Sequence, residues 1–119
     1  MRHRPVSLVG QTSLWTLGAL IESAACLVCN DTGVLHIAAA LRTPSVAVSC
    51  GADVKRWAPF DAQRHRVLWE PMPCRPCSNP VCPEAFGCAA AVSVRQVLES
   101  VRNVLSDRSL RMQGVQSSR

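Results

Sequence analysis

The sequence predicts an α/β fold, a parallel sheet covered by helices on both faces. Short apolar segments of four or five residues, bounded by turn formers, alternate with stretches of helical spacing. The short segments are rich in Val, Leu and Cys and hardly alternate with polar residues, as strands buried on both faces should. The chain has 119 residues, 48% of them hydrophobic, which suits one globular domain rather than a disordered chain.

Val6-Ser7-Leu8-Val9 reads as a first short strand, ended by Gly10. Thr12 or Ser13 then caps a helix whose Leu14, Leu17, Leu20, Ile21 and Ala24 recur at helical spacing. Cys26-Leu27-Val28-Cys29 reads as a buried strand, stopped by Asn30-Asp31. Thr32 to Arg42 reads as a helix apolar almost all round, which implies burial. Thr43-Pro44 ends it. Ser45 to Ser49 is the next strand, and Val67-Leu68-Trp69 a further one after a loop with Gly51 and Pro59. Residues 70–92 are dense in proline and cysteine and lack periodicity, so they form a loop insertion. Ser93 caps a last helix with an apolar stripe of Val94, Val97, Leu98, Val101, Val104 and Leu105. The expected organisation is one partial binding domain over 1–106 and a disordered polar tail over 107–119.

Composition narrows the function. The formal net charge is +5 and 4% of residues are aromatic. The basic residues are scattered, with no run that interleaves aromatics, so nucleic acid is not an expected partner, and the balance suits a small anionic ligand or an anionic partner. No apolar run reaches the roughly 18 residues of a membrane span. The basic start, Met1 to Pro5, is followed by no signal-peptide core. A cytoplasmic chain with reduced thiols is the expectation.

The most informative stretch is Asp31-Thr32-Gly33, with His36 one turn later. Asp-Thr-Gly is also the signature of aspartic proteases, where two copies pair their carboxylates. That architecture is all-β, whereas here "VLHIAAAL" follows and favours helix. The motif instead sits where a strand hands over to a helix, at the carboxyl edge where parallel sheets bind ligands. Asp31 or Thr32 would cap the helix, and Gly33 would let a phosphate reach the free backbone N–H groups. His36, on the same face as Thr32, would donate to a phosphate oxygen or a sugar hydroxyl. The plainer alternative makes Asp31 only a cap and His36 a satisfied, partly buried histidine.

The stretch "TSLWTLGALIESAACLVCNDTGVLHIAAALRTPSVAVSCGADVKRWAPF" closely resembles the carboxyl-terminal domain of glycosyltransferase family 9, the lipopolysaccharide heptosyltransferase family. The T-S-L helix, the N-D-T-G-x-x-H-x-A-A-A-L element, the T-P-x-V-A strand and the D-x-x-R-W-x-P loop occur in order. The resemblance runs from about Gly10 to Leu105. It implies a Rossmann-like sheet, the carboxyl-terminal half of the two-domain GT-B architecture, and transfer of heptose or a similar sugar from an ADP-sugar to lipopolysaccharide core. By position, Thr32, Gly33 and Val34 would meet the diphosphate. Asp31 and His36 would act as catalytic residues that orient phosphate or donor sugar, and Thr12, Ser13 and Leu14 would lie near the nucleoside. Transfer would need no metal or other cofactor. The family's amino-terminal domain, with acceptor site and catalytic base, is not represented, so a truncated fragment inactive alone is expected. A lipopolysaccharide acceptor implies a bacterial enzyme with peripheral attachment at the inner face of the inner membrane. The family's F-G-P-T-D loop is Ser49-Cys50-Gly51-Ala52-Asp53 here; Asp53, Arg56-Trp57 and Pro59 keep their places.

Cys74, Cys77, Cys82 and Cys88 are spaced C-x2-C-x4-C-x5-C. Four thiolates in that spacing are candidate ligands of a structural zinc ion. The other readings are a reduced loop, or a disulfide pair in oxidised protein. A free-standing zinc module of non-enzymatic function is the rival class, but only Arg75 and Phe86 near the cysteines suit nucleic acid. Cys26, Cys29 and Cys50 read as buried small hydrophobes.

Overall fold

The computed structural model describes residues 2–107. Their order is α1 (Leu14–Ser23), β1 (Leu27–Asn30), α2 (Gly33–Ala40), β2 (Ser45–Val48), α3 (Val54–Trp57), β3 (His65–Leu68), α4 (Gly87–Ala90) and α5 (Val94–Ser106). The strands form one parallel sheet in the order β1-β2-β3. The α/β class with a parallel sheet is therefore as expected. The tail predicted over 107–119 lies outside the described residues beyond Asp107.

The central strand organises the core. Ser45, Val46 and Ala47 of β2 are all buried, and successive strand residues point to opposite faces. Both faces of β2 are thus covered, and the helices packed on it are α2 and α5. The buried apolar residues come from α1, α2, β2 and α5: Ile21, Leu35, Ala38, Val46, Ala47 and Val104. Thr43 joins α1 to this core, its buried hydroxyl donating to the Ile21 carbonyl at 2.9 Å. At the foot of the sheet Ser45 Oγ and His65 Nδ1, both buried, hydrogen-bond at 2.8 Å.

Helix ends follow sequence chemistry. Ser13 caps α1, accepting from the Thr16 N–H at 3.1 Å. Ser93 and Gln96 form a reciprocal capping box on α5. Arg42, with φ of 58°, takes the left-handed conformation that closes α2 and lets the Thr43 N–H reach the Ala38 carbonyl at 2.9 Å.

Several expectations are corrected. Val6 to Val9 forms no strand, because no neighbouring strand takes up its backbone groups. β1 is not a buried strand: it is the sheet edge, and Val28 is 52% exposed. α2 is not buried all round. Leu35 and Ala38 face the core while Gly33, His36 and Ala40 are exposed, so its small apolar residues reflect helix propensity as much as burial. On α5, Val104 is buried but Val94 and Leu98 are exposed. Two one-turn helices, α3 and α4, were not legible; Asp53 caps α3 by accepting from the Lys55 N–H at 3.1 Å.

Candidate functional site

Parallel strands bring their carboxyl ends to one edge. The paired register sets Asn30 beside Val48 and Val48 beside Leu68. The ladder runs one step further: the Asp31 N–H donates to the Val48 carbonyl at 3.2 Å and the Ser49 N–H to the Leu68 carbonyl at 2.9 Å. Three loops therefore start side by side, at Asp31, Ser49 and Trp69.

Side chains tie these loops together. Ser49 Oγ donates to Asp31 Oδ2 at 3.0 Å. The Arg75 guanidinium donates to the carbonyls of Ser49 at 2.8 Å and Ala52 at 2.7 Å, and to that of Cys50. It also reaches Ser49 Oγ at 3.5 Å and lies 5.1 Å from the centre of the Trp69 ring. A continuous line of contacts, Trp69–Arg75–Ser49–Asp31, thus crosses the edge of the sheet. Arg75, which the sequence offers only as a charge among cysteines, is a clamp on the loop after β2. The sequence signal for it was the Trp69 one strand-end away, which is weak without the fold.

The Asp31-Thr32-Gly33 stretch is the mouth of α2, as its position after a strand implied. Capping differs from expectation. Thr32 occupies the cap position but its side chain makes no capping hydrogen bond, and the Asp31 carboxylate is engaged by Ser49 instead. The first-turn amides of Gly33 and Val34 are therefore left without a side-chain acceptor from the cap residue. A Cβ built on Gly33 would meet nothing within 4 Å, so the space over this turn is open. Such a mouth, with oriented N–H groups and the positive end of a helix dipole, attracts phosphate.

His36 is exposed. It borders a groove of about 790 Å³, across from Lys55, Arg56, Trp57 and Phe60. Arg56 stacks on Trp57 at 5.1 Å, and Phe60 is fully exposed. The groove adds cationic and aromatic side chains beside His36, on the loop that carries the R-W-x-P motif. Thr12 and the cap residue Ser13 lead into α1, which starts at Leu14 and packs on α2. Thr12 is half-buried, and Ser13 and Leu14 are exposed.

Several thiols lie on or near this part of the sheet, Cys29 at its carboxyl end and Cys26 at the amino end of β1. Cys29, the residue before Asn30, is held up to about 11, by burial first, then by the Asp31 carboxylate and Cys26. Burial also raises Cys26. Cys50 is raised by burial and by Cys88, with Arg75 pulling the other way. All three are half-buried rather than fully buried. Cys74, Cys77, Cys82 and Cys88 line a cavity of about 390 Å³ that Cys50 and Arg75 also border. Among the described residues no three Cys, His, Asp or Glu side chains are grouped closely enough to hold one metal ion. The Cys82 sulfur accepts instead from the Phe86 N–H at 3.0 Å. No helix among the described residues is long and apolar enough to cross a membrane.

Comparisons with known proteins identify the family. Residues 1–86 match the model of glycosyltransferase family 9 (heptosyltransferase). Lipooligosaccharide heptosyltransferase 2 of Campylobacter jejuni is 23% identical over 105 residues, which is 87% of this chain and 33% of that protein. The chain therefore spans about a third of the length of the curated relative it matches. No solved structure matches it. With the family model covering the α2 mouth, the clamped loop and most of the cysteine-rich segment, the chain belongs to glycosyltransferase family 9.

Proposed function

We propose that the chain is the donor-binding part of a GT-B sugar transferase, holding an ADP-sugar such as ADP-heptose while the sugar passes to lipopolysaccharide core. Family membership supports the reaction class. The observation that carries the site is the α2 mouth at the carboxyl edge, with its uncapped first turn and open space over Gly33. Gly33 and Val34 amides would face the diphosphate, with the Thr32 hydroxyl beside them. Fixed N–H dipoles meet negative charge that grows on the departing diphosphate, and this stabilises the transition state more than the ground state. Asp31, held by Ser49, and His36 orient the phosphate or the donor sugar. Thr12, Ser13 and Leu14 lie toward the nucleoside.

Transfer also needs an acceptor held close and a base at its hydroxyl. We assign both to an amino-terminal domain, and attachment at the inner face of the inner membrane to the lipid-borne acceptor. The test has two arms. Calorimetric titration with ADP should show Gly33→Val roughly tenfold weaker or more while circular dichroism stays that of the parent. Equal affinity would remove the phosphate site from this helix. Incubation with ADP-heptose and heptose-deficient core should give no transfer by the chain alone, and transfer once a relative's amino-terminal domain is added. Transfer by the chain alone would refute the division of labour.

A further inference from the structure

Parallel strands are joined by right-handed crossovers, so the connection from β2 to β3 lies on the same face of the sheet as α2. α2 has eight residues there, whereas α3 is a single turn, Val54–Trp57. The face beside α2 is therefore only partly covered, and the groove of about 790 Å³ lies between the two. His36 and Ala39 of α2 form one wall and residues 54–61 the other, with the buried His65 lining it at the start of β3. A volume of this size is typical of small-ligand sites, about 300–1,000 Å³.

Two features of the outer wall define a ligand. The first is aromatic. Trp57 is 50% exposed and Phe60 fully exposed, and both line the groove. The second is charge. Neither Lys55 nor Arg56 has an acidic partner among the described residues. Asp61, the carboxylate that lines the groove, is already engaged: it accepts from the Arg64 N–H at 3.1 Å and lies 3.4 Å from Arg64 Nε. The free charge of the groove is therefore positive, and the Arg56 guanidinium is held 5.1 Å from the Trp57 ring centre. We infer that the groove binds an acidic saccharide: the C–H face of a sugar ring packs on Trp57 and Phe60, and its phosphate or carboxylate meets Lys55 and Arg56. These side chains line a concavity, which suits a small ligand better than a lipid surface. In the transfer proposed above, the donor sugar is neutral and the donor's charge is in the diphosphate at the α2 mouth. An acid group on the sugar itself then belongs to the acceptor. The groove holds an acidic unit of the acceptor against this domain, while the amino-terminal domain keeps the reacting hydroxyl and its base. That placement rests on the donor reading.

The experiment is an NMR titration of the full chain, read at the indole N–H of Trp57. Glucose-6-phosphate and glucuronate should each shift that signal. Glucose and inorganic phosphate should bind at least roughly tenfold more weakly, since each lacks one of the two contacts. Lys55→Gln and Arg56→Gln together should weaken glucose-6-phosphate to the level of glucose. Phe60→Ala should weaken it too, and a packing defect would not mimic this because the ring is fully exposed. ADP should titrate the same in the parent and in these variants, because the α2 mouth is untouched. Binding of glucose-6-phosphate by a parent that does not bind ADP would keep the groove and remove the donor reading, and with it the assignment to the acceptor. Equal binding of glucose and glucose-6-phosphate, equal binding of inorganic phosphate, or displacement of glucose-6-phosphate by ADP would each overturn the saccharide site. So would sedimentation of the parent, but not of Phe60→Ala, with vesicles of phosphatidylcholine and phosphatidylglycerol when no acidic sugar shifts Trp57.

Discussion

Two glycines mark the contrast between the two regions that share the carboxyl edge of the sheet. At the mouth of α2, a side chain on Gly33 would project into open space. In the loop after β2, a side chain on Gly51 would strike Cys77. The first region is regular structure with polar groups left over. The second has little regular structure, and its backbone groups are spent on Arg75 and on the Cys77 amide. A ligand needs unspent donors and room, and the α2 mouth has both. The cysteine-rich segment has the opposite economy and serves to hold its neighbour in place.

The strongest way to break this contrast is Arg75→Ala. It removes bonds to three carbonyls and the contact with Trp69. Hydrogen bonds from a charged donor contribute about 1.5–3 kcal/mol each, and here they overlap at one part-buried group. A loss of about 2–4 kcal/mol is expected in urea unfolding. Amide exchange should quicken in the segment 70–92 before it does in α2. Arg75→Lys should restore little, because an ammonium lacks the planar fork that reaches several carbonyls at once. Parent-like stability of Arg75→Ala would mean that the segment is held by something other than the clamp.

Gly51→Ala tests the same docking sterically. Forcing a methyl into a closed contact costs about 1–3 kcal/mol. The contacting atom is a Cβ, fixed to its backbone, so no rotamer change relieves it. Cys77→Gly removes that Cβ. The double variant should therefore recover a measurable part of the loss, a positive coupling in a double-mutant cycle. Additive losses would place the two residues out of contact.

The two regions also differ in how far the sequence disclosed them. The α2 mouth was readable because its signals are local: a short strand, Asp31-Thr32-Gly33, then residues of high helix propensity. The wrong part was also local: a side-chain cap was read on Asp31 or Thr32, but Thr32 at the cap position makes no capping bond, and the partner of Asp31, Ser49, lies 18 residues away. The segment 70–92 read as an insertion with four candidate zinc ligands, and its docking stayed hidden, because that docking rests on contacts with the loop at 49–52 that no periodicity announces. Val6 to Val9 failed for a related reason. Four residues carry the composition of a strand, but a strand exists only where another offers it a ladder. β1 was placed in sequence and misjudged in burial, because composition does not show whether a strand is central or at the edge.

A buried histidine supplies a control that should move both regions together. His65 lies at the start of β3, bonded to Ser45 under the sheet. Burial lowers its pKa from the ordinary 6.5, against the pull of Asp61. The unfolded chain then binds more protons than the folded one as pH falls below about 6.5. The contribution is fully present above that value and is lost as pH drops through the lower folded-state value. It is a one-proton effect and ranks below the two contact losses. Urea unfolding between neutral and mildly acidic pH should show the decline, and His65→Gln should flatten it. An unchanged slope in the variant would assign the decline to other groups.

The smallest effect expected is the most useful for the α2 mouth. Gly33→Ala adds a methyl to the first residue of a helix, where nothing lies within 4 Å of the new atom. Alanine also loses less backbone freedom on folding than glycine. Stability should therefore change by no more than about 0.5 kcal/mol, with the sign toward stabilisation. The same substitution at Gly51 should destabilise, so the two variants bracket the contrast with one chemical change. If Gly33→Ala folds as well as the parent yet binds ADP more weakly, the glycine is there for the ligand rather than for the chain. If it unfolds more easily, the mouth of α2 is packed against something, and the open space on which the donor site depends is not there.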